Sequence, residues 1–248
     1  MDRIAFLTVH SCPLARLGEK DAGGMNVYAL SLARALAEIG FCVDIYTRHH
    51  QKGDAQVIHV GDNVRVVHIP AGEADLGKAD LYDVLPEFHD GLLQFVAKEG
   101  LKYALVHSHY WLSGRIGAIL GKRWNAPHVA TFHTLAKTKM RARVGERESE
   151  LRVSVERQVM READALVVST EQEREVLSRL YEVSPNKTRV ISAGVDLELF
   201  KPIDKADARS SLGLTEEKIV PGLTGRKETL VCEHNVAGHV NKFSTPAM

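Results

Sequence analysis

The sequence is poor in cysteine and has no excess of charge of either sign. Its 248 residues include three cysteines, Cys12, Cys42 and Cys232, an odd number without regular spacing. Such usage argues against a disulfide framework and is typical of a reducing compartment. Lysine plus arginine equals aspartate plus glutamate, at 32 each. The overall charge therefore gives no reason to expect nucleic acid or an anionic membrane as a partner, and any anion must be recognised by a local cluster.

Long apolar runs are also missing. No stretch approaches the ~20 apolar residues that cross a membrane. The first apolar run, residues 4–9, is too short for the core of a signal peptide, and no small-residue cleavage site follows it. We therefore expect no membrane span and a cytoplasmic location.

What the sequence does contain is an alternation of two patterns. Short apolar runs predict strands at residues 4–9, 43–47, 64–69, 104–108, 128–132, 165–169 and 189–191. Helical spacing predicts helices at residues 25–39, 86–99, 111–124, 146–162 and 170–180. Thr170, followed by Glu173, predicts a capping box at the start of the last helix. The alternation indicates a Rossmann-like, doubly wound α/β fold with a mostly parallel sheet covered on both faces.

The alternation stops near Val220. Residues 221–248 carry scattered charge and five glycines or prolines, and no apolar stripe. We predict one domain over residues 1–214 and an irregular tail over residues 215–248.

Ligands of such sheets bind where the strands end, so the loops after the strands are the places to search. The segment D-A-G-G-M-N, from Asp21 to Asn26, lies at the start of the first predicted helix. Its paired glycines let a ligand approach the backbone, and the positive end of a helix favours a phosphate or diphosphate. The alternative is a flexible glycine-rich loop without a ligand. The G-x-G-x-x-G fingerprint is absent, which disfavours a dehydrogenase.

The segment H-S-H-Y-W, from His107 to Trp111, ends a predicted strand. Histidines two residues apart share one face of a strand, so a metal site is conceivable, although no third ligand lies nearby in the sequence. Tyr110 and Trp111 could instead contact a sugar ring, or the tryptophan could simply belong to the core.

The segment T-F-H-T, from Thr131 to Thr134, closes the next predicted strand. Its histidine and hydroxyls suit catalysis or ligand binding, although a single histidine in an apolar run is more often a core residue. A mixed charge run follows, with the cations Lys137, Lys139, Arg141, Arg143, Arg147 and Arg152. Such a run is usually a solvated face, but part of it could reach an anionic ligand, for which arginine supplies a two-pronged contact and lysine a point charge.

Five motifs in this order resemble the N-terminal domain of the family-4 retaining glycosyltransferases, which have the two-domain GT-B architecture. They are V-H-S-C-P-L from residue 9, D-A-G-G-M-N, H-S-H-Y-W-L-S-G, T-F-H-T-L-A-K and A-G-V-D-L-E-L-F-K-P from residue 193. The likeness spans about residues 1–214. It is strongest to the branch that glycosylates phosphorylated acceptors, the inositol-phosphate N-acetylglucosaminyltransferases and sucrose-phosphate synthases.

This resemblance implies roles for individual residues. His133 would lie beside the donor sugar at the reaction centre. Gly23 and Gly24 would lie next to the donor diphosphate. The remaining implied positions line the acceptor and its phosphate: His10, Asp21, Asn26, Lys78, Tyr110, Thr134 and Arg152.

The resemblance also implies the chemistry. A hexosyl group would pass with retention from a nucleotide sugar, expected to be UDP-linked, to a phosphorylated sugar or polyol. No cofactor beyond this co-substrate is expected, and no metal, because lysine and arginine can neutralise the diphosphate and no D-x-D chelating motif is present.

In this family the donor binds mainly to a second domain. After Ile219-Val220 the expected V-G-R-like turn does not follow, and the E-x7-E pair Glu148 and Glu156 lies inside a first-domain helix, where we interpret it as a chance match. We hypothesise that the reading frame is truncated or shifted near Val220, which would leave this half inactive alone. Two alternatives stay open: a sugar-phosphate-binding module without catalysis, and one subunit of a split enzyme whose donor domain is a separate chain.

Overall fold

The computed structural model describes residues 1–16, 18, 22–50, 53, 55–78, 80–142, 147–213, 221–224 and 228–231. The chain divides into two compact units, Met1–Ala193 and Gly194–Met248. Among the helices within the described ranges, none is both long and apolar enough to span a membrane.

The first unit contains an eight-stranded sheet. Its strands are β1 (Arg3–Leu7), β2 (Cys42–Arg48), β3 (Val57–Gly61), β4 (Val64–Ile69), β5 (Leu105–His109), β6 (His128–Thr131), β7 (Ala165–Val168) and β8 (Thr188–Val190). They are arranged in the order β3-β4-β2-β1-β5-β6-β7-β8. Neighbours are parallel except for the edge strand β3, which runs antiparallel to β4. The predicted α/β class and mostly parallel sheet are confirmed.

Helices connect these strands. They are α1 (Gly24–Glu38), α2 (Leu85–Lys98), α3 (Trp111–Trp124), α4 (Ala136–Ala142), α5 (Glu150–Glu162) and α6 (Glu171–Tyr181). The helix predicted at residues 146–162 begins later, at Glu150, because Ser149 caps it by accepting a hydrogen bond from the N–H of Arg152. Strand β3 and helix α4 were not predicted.

Alternation along the strands builds two cores, one on each face of the sheet. In β1, Ile4 and Phe6 belong to the core on the side of α1, whereas Ala5 and Leu7 belong to the core that includes α2 and α3. This two-residue period is what a strand buried on both faces requires.

A buried ionic cluster lies near the amino ends of the strands. Asp44 on β2 is fully buried and accepts hydrogen bonds from Arg3 at 2.9 Å, Arg65 at 2.7 Å and the hydroxyl of Tyr103 at 2.6 Å. Two cations and a hydroxyl thus compensate one buried carboxylate, as burial of a charge demands. The cluster ties β1, β2, β4 and the segment before β5 together at the end of the sheet away from the strand-end loops.

The second unit contains helix α7 (Lys205–Ser211) and two further strands. Asp204 caps α7 by accepting a hydrogen bond from the N–H of Ala206 at 2.8 Å. Strands β9 (Pro221–Thr224) and β10 (Glu228–Val231) pair antiparallel within the segment expected to be irregular. The domain boundary at residue 214 stays a prediction.

Candidate functional site

The predicted site residues follow the carboxyl ends of neighbouring strands. His10 follows β1, Tyr110 follows β5, and His133 and Thr134 follow β6. Strands β1 and β5 are adjacent, and the strand order changes direction between them. Such a switch point leaves a crevice between loops that diverge to opposite sides of the sheet, and ligands bind there.

The ring of Tyr110 is the centre of this arrangement. The His10 ring packs against it with centroids 4.2 Å apart. The Lys78 ammonium lies 4.7 Å from the ring centroid, and the Arg152 guanidinium lies 5.0 Å from it. Contact of a cation with an aromatic face is worth about 0.5–2 kcal/mol. The tyrosine therefore holds two positive groups from distant parts of the chain at one place.

Arg152 is almost completely buried and is fixed by three partners. Its Nε donates to Glu156 at 2.8 Å, its Nη1 lies 2.9 Å from Glu148, and its Nη2 donates to the carbonyl and hydroxyl of Thr134. Glu156 lies four residues after the arginine on the same face of α5, whereas Glu148 approaches from the segment before the helix. A guanidinium has five N–H donors, and these contacts within the described residues use four of them. One Nη1 hydrogen remains for a ligand.

Glu156 in turn connects Arg152 to the loop that carries Thr134. Its carboxylate is fully buried and accepts hydrogen bonds from the N–H of Ala136, at 3.1 Å to each oxygen, and from the hydroxyl of Tyr181. These bonds compensate a charge that would otherwise be costly to bury. Glu156 thus fixes the position of the Arg152 side chain, a role that the E-x7-E spacing did not indicate.

His133 occupies a tight turn at the end of β6. Its φ is 59°, and the N–H of Thr134 donates to the carbonyl of Phe132 at 2.7 Å, which closes a three-residue turn. Tyr110, at the end of the adjacent strand, also has a positive φ of 78°. Residues other than glycine cost about 1–3 kcal/mol in such conformations, which persist mainly at functional sites.

The inner edge of His133 contacts a second histidine. Its Nε2 lies 3.0 Å from Nδ1 of His109, and the Tyr28 ring of α1 packs edge-on against it at 5.2 Å. His133 as a whole is an exposed residue. Enclosure of the inner edge lowers the pKa of His133 to about 4, so the imidazole is neutral at pH 7.

The glycine-rich start of α1 is held against the loop after β1. The amide of Asn26 is buried; it accepts from the N–H of Gly23 at 3.1 Å and donates to Ser11 at 2.8 Å and to the carbonyl of Cys12. Gly24 has no atom within 4 Å of where a Cβ would stand. A ligand can therefore approach the backbone there without steric hindrance. Asp21 lies outside the described residues.

The electrostatics of the crevice favour an anion. Burial, followed by the charge of Lys78, lowers the pKa of His10 well below its usual range. His10 is therefore a neutral neighbour of two cations, and its buried Nδ1 has no hydrogen-bond partner among the described residues. A ligand with anionic oxygens would satisfy both the cations and this unpaired nitrogen.

The structure also bears on the expectations for the two strand-end histidines, Trp111 and the charge run. His107 does not share a ligand with His109, because its Nε2 bonds Thr131 at 2.9 Å while His109 faces His133. Trp111 is buried and stacks on Tyr82, so it is a core residue. Of the cations in the charge run, Arg152 is the one that contacts Tyr110 and Thr134 within the described residues. Arg143 lies outside those residues. Lys137 donates to the carbonyl of Leu180, and Lys139 pairs with Glu148.

Residues 23–194 match the family described as the glycosyl transferase 4-like domain. The chain belongs to this family of glycosyltransferases. The match includes the start of α1, the ends of β5 and β6, and helix α5, whereas β1 and His10 lie before it. The sheet is accordingly the Rossmann-like half of a GT-B fold.

Named relatives agree with the predicted branch of the family. The chain is 43% identical over 232 residues to the D-inositol 3-phosphate glycosyltransferase of Saccharomonospora viridis, covering 92% of this chain and 54% of the relative. The sucrose-phosphate synthase of Thermosynechococcus elongatus superposes with a TM-score of 0.79 at 35% identity, covering 88% and 54% of the two chains. Anabaena HepE, solved with UDP and glucose, shares the fold, with a TM-score of 0.54 at 16% identity over 86% and 50%. The chain spans about half the length of the curated relatives it matches.

Proposed function

We propose that this chain forms the acceptor side of a glycosyltransferase that transfers a hexosyl group, with retention, from a nucleotide sugar to a phosphorylated sugar or polyol. The observation that carries the proposal is the convergence of Lys78 and Arg152 on Tyr110, beside the unpaired nitrogen of His10. An acceptor phosphate would bring anionic oxygens to these cations, which an unphosphorylated alcohol lacks. The names of the relatives support an inositol phosphate as the first acceptor to test.

The acceptor phosphate would bind between the two cations, with Thr134 as a neutral partner. Its hydroxyl accepts from Arg152 at 3.2 Å and so has its own hydrogen available for a phosphate oxygen. A phosphate held at this point fixes the distance and direction of the acceptor hydroxyls. Such positioning supplies a large part of the rate acceleration in a two-substrate reaction.

The donor would place its diphosphate at the start of α1. The bare backbone at Gly23 and Gly24 and the positive end of a 15-residue helix suit a group that becomes more negative as the sugar departs. The acceptor hydroxyl would attack the face of the sugar that the diphosphate leaves, which gives retention. Most donor contacts would come from a further domain or chain. The cytoplasmic location expected from the sequence stays a prediction.

Binding and turnover can be separated experimentally. Isothermal titration with inositol phosphate, with unphosphorylated inositol as the control, should show binding of the phosphorylated compound alone. Absence of phosphate-dependent binding would refute the proposed acceptor site. If phosphate binds, a transfer assay with UDP-sugars distinguishes the cases: transfer by the chain alone contradicts the need for a donor-side partner, transfer after addition of a second chain supports a split enzyme, and no transfer supports a binding module.

A further inference from the structure

The three imidazoles of His107, His109 and His133 lie side by side across the ends of β5 and β6. The rings of His107 and His109 are 4.4 Å apart, and those of His109 and His133 are 5.3 Å apart. In the second pair, Nδ1 of His109 and Nε2 of His133 are 3.0 Å apart. The distance between the two ring centroids is longer than this by about two ring radii. The two rings therefore meet edge to edge, as a hydrogen bond requires.

We propose that His109 is a positioning residue that fixes the ring orientation and the tautomer of His133, so that His133 presents a protonated Nδ1 to the crevice. The proposal rests on the function proposed above and assigns His133 the part of a hydrogen-bond donor rather than that of a base.

The assignment follows from the surroundings of His109. Its side chain has no exposed surface, and its Nε2 has no hydrogen-bond partner among the described residues. A neutral imidazole has one N–H and one acceptor nitrogen. In folded proteins a buried N–H donor is left without a partner more rarely than an acceptor. The single proton of His109 is therefore on Nδ1, where it can be donated to His133.

The state of His133 follows from this bond. Its Nε2 accepts the proton of His109, so its own hydrogen is on Nδ1, at the opposite edge of the ring. Because His133 is an exposed residue, we place this N–H toward the crevice. A sugar hydroxyl or phosphate oxygen arriving in the crevice would accept a hydrogen bond from it. The proton of the attacking acceptor hydroxyl would pass to the phosphate oxygen that leaves the sugar, rather than to His133.

The other aromatic neighbours of His109 are His107, whose Nε2 is engaged by the hydroxyl of Thr131 at 2.9 Å, and the rings of Phe6 and Tyr28. The Phe6 ring lies 5.1 Å away and the Tyr28 ring 5.9 Å away. These rings offer no hydrogen-bond acceptor comparable to His133, so rotation of His109 would bury an N–H without a partner. The observed orientation of the His109 ring is therefore favoured over the rotated one by about the free energy of a lost buried hydrogen bond.

The test is a long-range proton–nitrogen NMR spectrum of the 15N-histidine-labelled chain without substrate, at a pH above the ordinary histidine pKa. We expect the wild-type His133 to show a protonated Nδ1 and an unprotonated Nε2. His109→Phe removes the donor while keeping a ring, and His133 should shift toward the tautomer with the proton on Nε2. His109→Asn places an amide N–H near the former Nδ1 and should restore the wild-type pattern.

Each outcome decides the proposal. A wild-type His133 protonated on Nε2, or a pattern unchanged in His109→Phe, would overturn it. If the phenylalanine variant does not fold, His109→Gln moves the amide to the wrong end of the ring and should produce the same shift. Titration of wild type and His109→Phe with inositol phosphate tests the acceptor site separately, because Lys78 and Arg152, the cations that would hold the phosphate, converge on Tyr110. Failure of phosphate binding in both chains would count against the acceptor site alone and leave the tautomer result intact.

Discussion

The Nη2 of Arg152 donates to both oxygens of Thr134, to the carbonyl at 3.1 Å and to the hydroxyl at 3.2 Å. A planar guanidinium can do this while its Nε engages Glu156, because its donors point in fixed, diverging directions. The turn after β6 and the amino end of α5 are thereby held as one unit. The proposed phosphate contacts of the two segments consequently depend on each other.

Arg152→Lys tests this dependence. An ammonium cannot reach two oxygens of Thr134 and two carboxylates together, so Glu156 loses a buried partner. We expect the affinity for inositol phosphate to fall at least about tenfold, since a charge-assisted hydrogen bond contributes about 1.5–3 kcal/mol. The melting temperature should fall as well. Arg157→Lys, an exposed position on the same helix, is the matched control; equal affinities for both variants would contradict the assigned role.

Lys78→Met tests the second cation. It removes the charge above Tyr110 while keeping most of the aliphatic stem. We expect a loss of about tenfold or more in affinity for the phosphorylated polyol, measured by titration calorimetry. The loss should shrink at high salt, because screening weakens the contribution that the lysine makes in the wild type. Lys98→Met, exposed near the end of α2, should bind like the wild type. A loss of the same size in that control would point to a general charge effect.

Buried histidines should make the fold sensitive to acid. Burial lowers the pKa of His107 to about 3 and that of His128 to about 4, and it lowers those of His10 and His109 well below the usual range. Below about pH 6.5 the unfolded chain binds protons that the folded chain cannot, so stability falls with decreasing pH. Each such histidine contributes a slope of up to about 1.4 kcal/mol per pH unit between its two pKa values.

A melting series between pH 7.5 and pH 4 should therefore fall steeply below about pH 6.5. His128→Asn removes one of these groups and should flatten the fall, whereas His59→Gln, an exposed position, should leave it unchanged. A melting temperature that stays constant down to pH 5 would show that these imidazoles are not held neutral.

Two glycines should respond differently to alanine. A Cβ on Gly114 of α3 would stand 2.8 Å from Cγ1 of Val159 on α5, so the helices pack too closely to accept it. Gly114→Ala should destabilise the fold by about 1–3 kcal/mol, measured by urea unfolding. Val159→Ala makes room for the added methyl, so the double variant should lose less than the sum of the single losses. Gly24→Ala, where the space is open, should unfold like the wild type.

The sequence allowed the interior of the fold to be predicted better than its margins. In the central strand β1, residues 4–7 form a continuous buried apolar run, and that signal is strong. The edge strand β3 is half-exposed and contains His59 and Gly61, so its alternation is weak. Helix α4 is short and rich in lysine, which resembled a solvated charge run.

The capping box at α6 was confirmed in part. The hydroxyl of Thr170 accepts from the N–H of Glu173 at 3.1 Å, as predicted. The carboxylate of Glu173, however, accepts from the N–H of Ser169 at 2.6 Å instead of from Thr170. Local spacing determined the first bond, whereas the path of the chain before the helix determined the second.

The candidate site shows the same division. The motifs placed Tyr110, His133 and Thr134 at strand ends, and parallel pairing of β5 with β6 brings those ends together. The supporting roles of Glu156 and His109 depend on which side chains face each other after folding. Spacing of four residues between Arg152 and Glu156 was the available signal for the first. No local pattern indicates the second.

The buried cluster around Asp44 has a consequence for how this protein can change. It cross-links β1, β2 and β4 by charge-assisted bonds at one end of the sheet, while the residues that would meet substrates lie in loops at the other end. Substitutions in those loops leave the cross-link untouched. New acceptor preferences can therefore arise by mutation of the strand-end loops, because the Asp44 cluster continues to stabilise the fold against the cost of such mutations.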